Sequence, residues 1–172
     1  MTTKMEDIIK ELTKEGDELF EFVKQNFIKI VREMGKPEIT IPEFDIKTVF
    51  FLKSKAFEKT LLKLERTKGG IRPGSPIEIY PDTNFWDSDA VTLKLQKDKN
   101  VFHILVNCVR IKNNAFKLQI ELRRYLTVTF IHEMIHTLEA MTGISIIGTG
   151  FVKDDSFSIP IYEKWASRTR HA

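Results

Sequence analysis

Residues 132 to 136 read His-Glu-Met-Ile-His, and this H-E-x-x-H motif constrains the fold more than any other feature of the chain. If the segment is helical, His132 and His136 are separated by about 40° around the helix and by about 6 Å along its axis. Two imidazole rings with that spacing can bind one tetrahedral zinc ion. Glu133 lies beside them, where it can accept a proton from water on the metal. The motif therefore predicts two metal ligands and a general base.

The residues around the motif predict a long, buried helix over residues 114–143, with Asn113 or Asn114 as N-cap and Gly143 at its C-terminal end. Apolar side chains fill most of its circumference: Val128, Phe130, Ile131, Met134, Ile135, Leu138 and Met141. A narrow and mostly polar stripe holds the rest: Tyr125, Thr129, His132, Glu133, His136, Glu139 and Ala140. Because a helix that is apolar on most sides is buried, its polar stripe has to face a cavity, a cleft or a metal.

The alternative interpretation makes His132 and His136 ordinary core residues and Glu133 a residue of the helix surface. A buried helix offers two imidazoles and a carboxylate few partners, and for this reason we favour the metal site. The remaining polar candidates carry less weight. His103 is predicted to be a surface or edge-strand residue, and Cys108 a small core residue.

Composition is that of one globular domain over residues 1–172, with 42% hydrophobic and 30% charged residues. The net charge of +3 is small and the charges are interspersed, so neither a nucleic acid nor an anionic membrane is an expected partner. A single cysteine excludes an internal disulfide framework. The first 18 residues are too polar for a secretory signal, and no apolar run is long enough to span a bilayer. We therefore expect a cytoplasmic protein.

Apolar periodicity predicts an amphipathic helix at Met5–Met34 that packs behind a sheet, with Gly16 as a potential break. Strands are predicted within residues 38–111, at Ile39–Ile41, Lys47–Leu52, Ile77–Tyr80, Val91–Gln96 and Val101–Ile111. The last two are expected to form a hairpin that leads directly into the motif helix. Ser54–Arg66 is ambiguous between helix and strand, and a final helix is predicted at residues 157–170. This order predicts an α+β fold in which helices cover one side of a mainly antiparallel sheet.

Catalytic zinc usually has three protein ligands and keeps one position for water, so the motif leaves one ligand to be found. Glu139 lies too far along the same helix to join the two histidines, and we expect it either behind a ligand or at the surface. The candidates further along the chain are Asp154, Asp155, Glu163 and His171. Periodicity alone does not choose among these four.

The chain resembles the zincin metallopeptidases, and more narrowly a small gluzincin of the minigluzincin type. In that class a glutamate ligand follows the H-E-x-x-H helix by some twenty residues or more, often within an E-x-x-A pattern. Glu163-Lys164-Trp165-Ala166 fits this pattern, 27 residues beyond His136. The extended metzincin pattern is absent, because Glu139 replaces its glycine and Thr142 its third histidine. The resemblance implies a zincin-like fold with an active-site helix, a C-terminal glutamate helix, and zinc held by His132, His136 and Glu163.

The function implied is a zinc-dependent peptidase that acts on a peptide or protein substrate. Glu133 would be the general base, and Tyr162 or His171 would donate a hydrogen bond to the oxyanion that forms. By resemblance, the substrate would lie extended along an edge strand, either Val91–Gln96 or Val101–Ile111.

Two further hypotheses belong to other classes. The first is a zincin-like zinc-binding regulatory or interaction protein without peptidase activity, in which His171 or Asp155 closes the site as a fourth ligand. The second is a nucleic-acid-binding domain, based on the densest cationic stretch of the chain: Lys53, Lys55, Lys59, Lys63, Arg66 and Lys68. Such a run is more simply a solvated face. The sequence predicts no oligomeric state.

Overall fold

The computed structural model describes residues 4–35, 38–52, 78–79, 88–94, 100–147 and 156–169. In these ranges the helices are α1 (Met5–Glu33), α2 (Cys108–Leu118), α3 (Leu122–Thr142) and α4 (Ser158–Thr169). The strands are β1 (Asp45–Phe51), β2 (Glu78–Ile79), β3 (Ala90–Lys94) and β4 (Val101–Asn107). Helices and a sheet in one chain confirm the predicted α+β class. None of the described helices is long and apolar enough to cross a membrane.

The chain separates into two compact units. The first comprises Met1–Ile41 and Glu121–Ala172, and the second comprises Pro42–Ile120. The first unit therefore contains α1, α3 and α4, and the second contains the sheet and α2. Each unit has its own buried side chains, and the H-E-x-x-H motif lies in the helical one.

Helix α1 confirms the long N-terminal helix and runs without interruption through Gly16. Its buried residues recur with the helical period: Met5, Ile8, Leu12, Leu19, Phe20, Val23, Phe27 and Val31. This apolar face packs against α3 and α4. The rings of Phe22 and Trp165, whose centroids are 5.4 Å apart, join α1 to α4, and Arg123 pairs with Glu11 to join α3 to α1. The helix ends where Gly35 adopts a left-handed φ of 76°.

The sheet has the strand order β1-β4-β3-β2, with β4 parallel to β1 and antiparallel to β3, and with β3 antiparallel to β2. Strands β3 and β4 pair antiparallel and form the predicted hairpin, because only the six residues 95–100 connect them. Parallel pairing of β1 with β4 was not predicted. It requires a long connection, and residues 52–100 supply one.

Strands β3 and β4 lie inside the sheet, since each has a neighbouring strand on both sides. The expectation that a peptide would bind along Val101–Ile111 as an edge strand is therefore wrong for β4, which is paired on both sides. Within the described residues, strand β2 pairs with only Leu93 and Lys94 of β3, so binding along Val91–Gln96 stays a prediction. His103 lies on the central strand β4, rather than at an edge. Burial lowers the pKa of its ring, nearby Lys47 lowers the pKa further, and Asp45 opposes the change.

Helix α2 corrects the predicted strand Val101–Ile111, because the strand ends at Asn107 and a helix begins at Cys108. The Asn107 side chain accepts a hydrogen bond from the Arg110 amide at 3.2 Å and caps this helix. Cys108, Ile111 and Ala115 are buried with a helical period, which the run of apolar residues had obscured. Burial raises the pKa of the Cys108 thiol to about 12, so this cysteine is a core residue, as predicted.

The motif helix α3 begins at Leu122, eight residues later than predicted. Asn113 and Asn114, the predicted N-caps, lie inside α2 and do not cap α3. Gln119 adopts a left-handed conformation with φ 55°, which ends α2 and separates the two helices. At the other end, Gly143 has the predicted capping role with φ 72°.

Two other sequence predictions have different outcomes. Residues 39–41 are not a strand in the structure, so that prediction is wrong. The final helix, expected at 157–170, is confirmed as α4, and Pro160 lies in its first turn, where its missing amide costs no hydrogen bond. The ambiguous segment Ser54–Arg66 lies outside the described residues, as does the cationic stretch that begins at Lys53. The predicted packing of α1 behind the sheet stays a prediction.

The core of the sheet unit is tested by two identical substitutions. Phe102 on β4 is fully buried, whereas Phe116 on α2 is 86% exposed. We expect Phe102→Ala to lower the free energy of unfolding by about 3–5 kcal/mol, because it leaves a cavity. Phe116→Ala should change it by less than about 0.5 kcal/mol. Urea unfolding measures both, and equal losses would contradict the described packing.

Candidate metal centre

Helix α3 brings the two motif histidines together, as the sequence predicts. Their Nε2 atoms are 3.0 Å apart. The ring planes are nearly perpendicular, at 81°, with centroids 4.6 Å apart. His132 and His136 are both partly buried. The spacing of four residues thus becomes a pair of ring nitrogens directed at one another.

The distance between the Nε2 atoms fits a shared zinc ion. Two nitrogens at about 2.0–2.1 Å from one tetrahedral zinc are about 3.3 Å apart. The observed 3.0 Å is within about 0.3 Å of that value. Small rotations of the two side chains would accommodate the difference. The observed spacing is therefore compatible with two imidazole ligands on one zinc ion.

Glu139 lies behind His136, one turn further along α3. Its Oε1 lies 2.9 Å from Nδ1 of His136, within hydrogen-bond distance. Its Oε2 accepts hydrogen bonds from the backbone amides of Ile146, and of Ile147 at 2.9 Å. A carboxylate that holds the far nitrogen of a histidine is the usual support of a histidine metal ligand. Of the two positions that the sequence leaves open for Glu139, the structure places it behind His136 and not at the surface.

The Glu139 carboxyl is held in its ionised form. Its side chain is 11% exposed, and this burial opposes ionisation. The hydrogen bonds from His136 and from the amides of Ile147 and Ile146 outweigh the burial, and they lower the pKa of Glu139 below its ordinary value. An ionised carboxylate can only accept hydrogen bonds, so it is matched to the three donors around it.

Glu133, the predicted general base, is 6% exposed and lies within α3 between the two histidines in sequence. The other buried residues of this helix are apolar apart from Thr127 and Thr137, and they include Leu126, Ile131 and Leu138. A carboxylate in this setting is sheltered from bulk water, which strengthens its interactions with nearby charge. Glu133 is the one buried member of the polar stripe, and the other six are partly buried.

Glu163, the ligand implied by the resemblance, lies on α4, which packs against the motif helix. Its side chain is 53% exposed and pairs with Arg124. Arg124 precedes His132 by eight residues, or about 12 Å along the helix axis. As placed, the Glu163 carboxylate is directed to the N-terminal half of α3, and the structure does not bring it to the histidines.

Tyr162, the predicted oxyanion donor, is also on α4 and is 7% exposed. Its ring lies under the guanidinium group of Arg124, whose central carbon is 5.3 Å from the ring centroid. Arg124 therefore contacts both residues of α4 that the sequence assigns to the site.

The other candidates for a third ligand, Asp154, Asp155 and His171, lie outside the described residues. Within the described part of the chain, no group of three or more His, Cys, Asp or Glu side chains is placed to hold a metal ion together. The sequence also did not predict the hydrogen bonds of Glu139 to Ile146 and Ile147. They depend on the turn after Gly143, which no local pattern of these residues indicates.

Comparison of the chain with known protein families, with curated proteins and with solved structures finds no match. The resemblance to zincins therefore depends on the motif and on the E-x-x-A segment alone. The chemistry of the site is inferred from its own side chains.

The histidine pair makes a direct prediction about zinc affinity. A structural zinc contributes about 10–16 kcal/mol through four ligands, so His136→Gln should cost about 3 kcal/mol, or a 100-fold loss of affinity. His103→Gln is the control, because His103 lies on β4 in the other unit. Competition with a chromophoric chelator measures both. Equal zinc affinity in the two variants would exclude the site.

Proposed function

We propose that this protein is a zinc-dependent metallopeptidase, with a zincin-like active site on α3 and a peptide or protein as its substrate. The observation that carries the proposal is the 3.0 Å approach of Nε2 of His132 to Nε2 of His136, with the Glu139 carboxylate behind the second ring. Buried Glu133 adds a carboxylate to the same polar stripe. Two imidazoles and an acid in this arrangement suit hydrolysis better than they suit helix packing.

In this proposal His132, His136 and Glu163 hold the zinc ion. Glu163 would have to exchange Arg124 for the metal. Its pair with Arg124 is half exposed, and such pairs contribute only about 0–1 kcal/mol, so breaking the pair costs little. The carboxylate would also have to move along α3 toward the histidines. Its position on α4, packed against α3, keeps it in the same unit as the histidines. Asp154, Asp155 and His171 are the alternative third ligands.

When bound, zinc supplies Lewis-acid activation of water and of the scissile carbonyl group. Glu133 would accept a proton from the attacking water and deliver it to the leaving amine, which is the work of a general base and then a general acid. Tyr162 or His171 would donate a hydrogen bond to the developing oxyanion. Glu139 would keep His136 oriented.

A second candidate function is a zinc-binding regulatory or interaction protein without peptidase activity. The pairing of Glu163 with Arg124 favours it, because the described residues then supply only two ligands. Closure of the site by His171 or Asp155 would leave no position for water. A cytoplasmic location fits either function and stays a prediction.

The role of Glu133 separates the two functions. We expect Glu133→Gln to keep zinc but to lower peptide hydrolysis by at least about 100-fold, since a general base contributes about 10²–10⁴. Hydrolysis of a fluorogenic peptide library by zinc-loaded protein provides the measurement, and Glu121→Gln, at the exposed start of α3, is the control. Wild-type activity in Glu133→Gln would reject the mechanism. Zinc binding with no hydrolysis by the unmodified protein would favour the regulatory function.

The third ligand has its own test. If Glu163 binds zinc, Glu163→Ala should weaken zinc binding about 100-fold. The estimate assumes that each ligand contributes about the same binding free energy, as for His136→Gln. Arg124→Ala should not weaken it, because the arginine only competes for the carboxylate. An unchanged affinity in Glu163→Ala would transfer the third position to Asp154, Asp155 or His171.

A further inference from the structure

The two oxygens of Glu139 face different groups. Oε1 faces Nδ1 of His136, while Oε2 faces the backbone amides of Ile146 and Ile147 in the turn after α3. The amides carry fixed protons, so they require an acceptor at Oε2. Ile146 and Ile147 are themselves buried, which makes that requirement strict. The amides thereby fix the orientation of the carboxylate, and its second oxygen is left for His136.

The carboxylate determines where the proton of the His136 ring resides. A neutral imidazole carries one N–H and one lone pair, and the position of each follows from its hydrogen bonds. Because Oε1 only accepts, Nδ1 of His136 donates, and Nε2 keeps the lone pair. That lone pair points toward Nε2 of His132, 3.0 Å away. In the absence of metal, Nε2 of His132 would then be the donor of this hydrogen bond. A metal ligand needs this lone pair on Nε2.

We propose that Glu139 is a positioning residue that selects the ring form of His136 with its lone pair on Nε2, and that this selection sets the affinity of the protein for zinc. The proposal rests on the proposed function in one respect, namely that zinc is the ion bound. It assigns to Glu139 a role that neither a structural acid nor a ligand would have.

An isosteric replacement should damage the site more than a truncation. In Glu139→Gln the side chain has one acceptor and one donor end. With its oxygen toward the two amides, it keeps both amide bonds, and its NH2 group then faces Nδ1 of His136. The His136 ring can accept a hydrogen bond from this NH2 group only if Nδ1 carries a lone pair. The proton of the neutral ring must then be on Nε2. The reverse orientation loses both amide bonds for one bond to His136.

Truncation should have the opposite balance of effects. Glu139→Ala removes the acceptor of both amides, so the turn after α3 loses its anchor. The same change also removes the carboxylate that selects the ring form of His136, so zinc can select the correct form. We therefore expect Glu139→Ala to unfold at a lower urea concentration than Glu139→Gln. Its zinc affinity should nevertheless be higher than that of Glu139→Gln.

The first measurement is made on zinc-free protein. Long-range ¹H–¹⁵N spectra of protein labelled with ¹⁵N-histidine, at pH 8, distinguish a proton on Nδ1 from one on Nε2. The chain has four histidines, and single substitutions assign them. We expect His136 to carry its proton on Nδ1 in the unmodified protein and on Nε2 in Glu139→Gln. The same form in both proteins would overturn the proposal.

The second measurement is zinc affinity by chelator competition. Loss of the carboxylate partner should weaken binding by about 10–100-fold in Glu139→Ala, and by more in Glu139→Gln. Glu121→Gln, a charge-matched change at the start of the same helix, should bind zinc normally. Affinity in Glu139→Gln equal to or above that of Glu139→Ala would overturn the proposal.

The two claims fail separately. The ring form of His136 is read without metal. A protein that binds no zinc would contradict both the proposed function and the claim about zinc affinity, while the spectra would still decide whether Glu139 selects the ring form. A protein that binds zinc but hydrolyses no peptide would leave the ring-form result unaffected. Only the spectra and the order of the two Glu139 variants decide this inference.

Discussion

A helix that is apolar around most of its circumference has to be buried, and it carries its polar residues inside with it. Helix α3 is such a helix, with ten buried residues that include Glu133. Each buried polar group then needs a partner, because a buried group without one costs free energy. His136 has Glu139 and His132 as its partners, and Glu139 has the backbone of the turn that follows. The candidate metal centre is thus a consequence of burying this helix.

The sequence predicted the features that depend on local periodicity. Helices α1 and α4, the β3–β4 hairpin and the approach of His132 to His136 all follow from spacing within one element or from a short connection. The four-residue interval of the motif fixes two rings on one face whatever the rest of the chain does. The position of Gly143 at the end of α3 follows from its freedom to adopt a positive φ.

The features that were missed depend on competition between patterns or on contacts distant in the chain. Val101–Ile111 is apolar except for His103, Asn107 and Arg110, so its change from strand to helix is marked only by the capping side chain of Asn107. The parallel partner of β4 is β1, which lies about fifty residues earlier in the chain, and no local sequence signal indicates this pairing. Glu163 fits the family pattern in sequence, yet its side chain pairs with Arg124, because the orientation of α4 is set by packing.

The central claim is that His132 and His136 bind one zinc ion together, and X-ray absorption at the zinc K-edge tests it most directly. The spectrum of zinc-loaded protein reports the ligand atoms and their distances. The account predicts two imidazole nitrogens at about 2.0–2.1 Å with the remaining positions taken by oxygen. A spectrum without imidazole scattering, or with a single imidazole, would show that the two rings do not share the metal and would contradict the account.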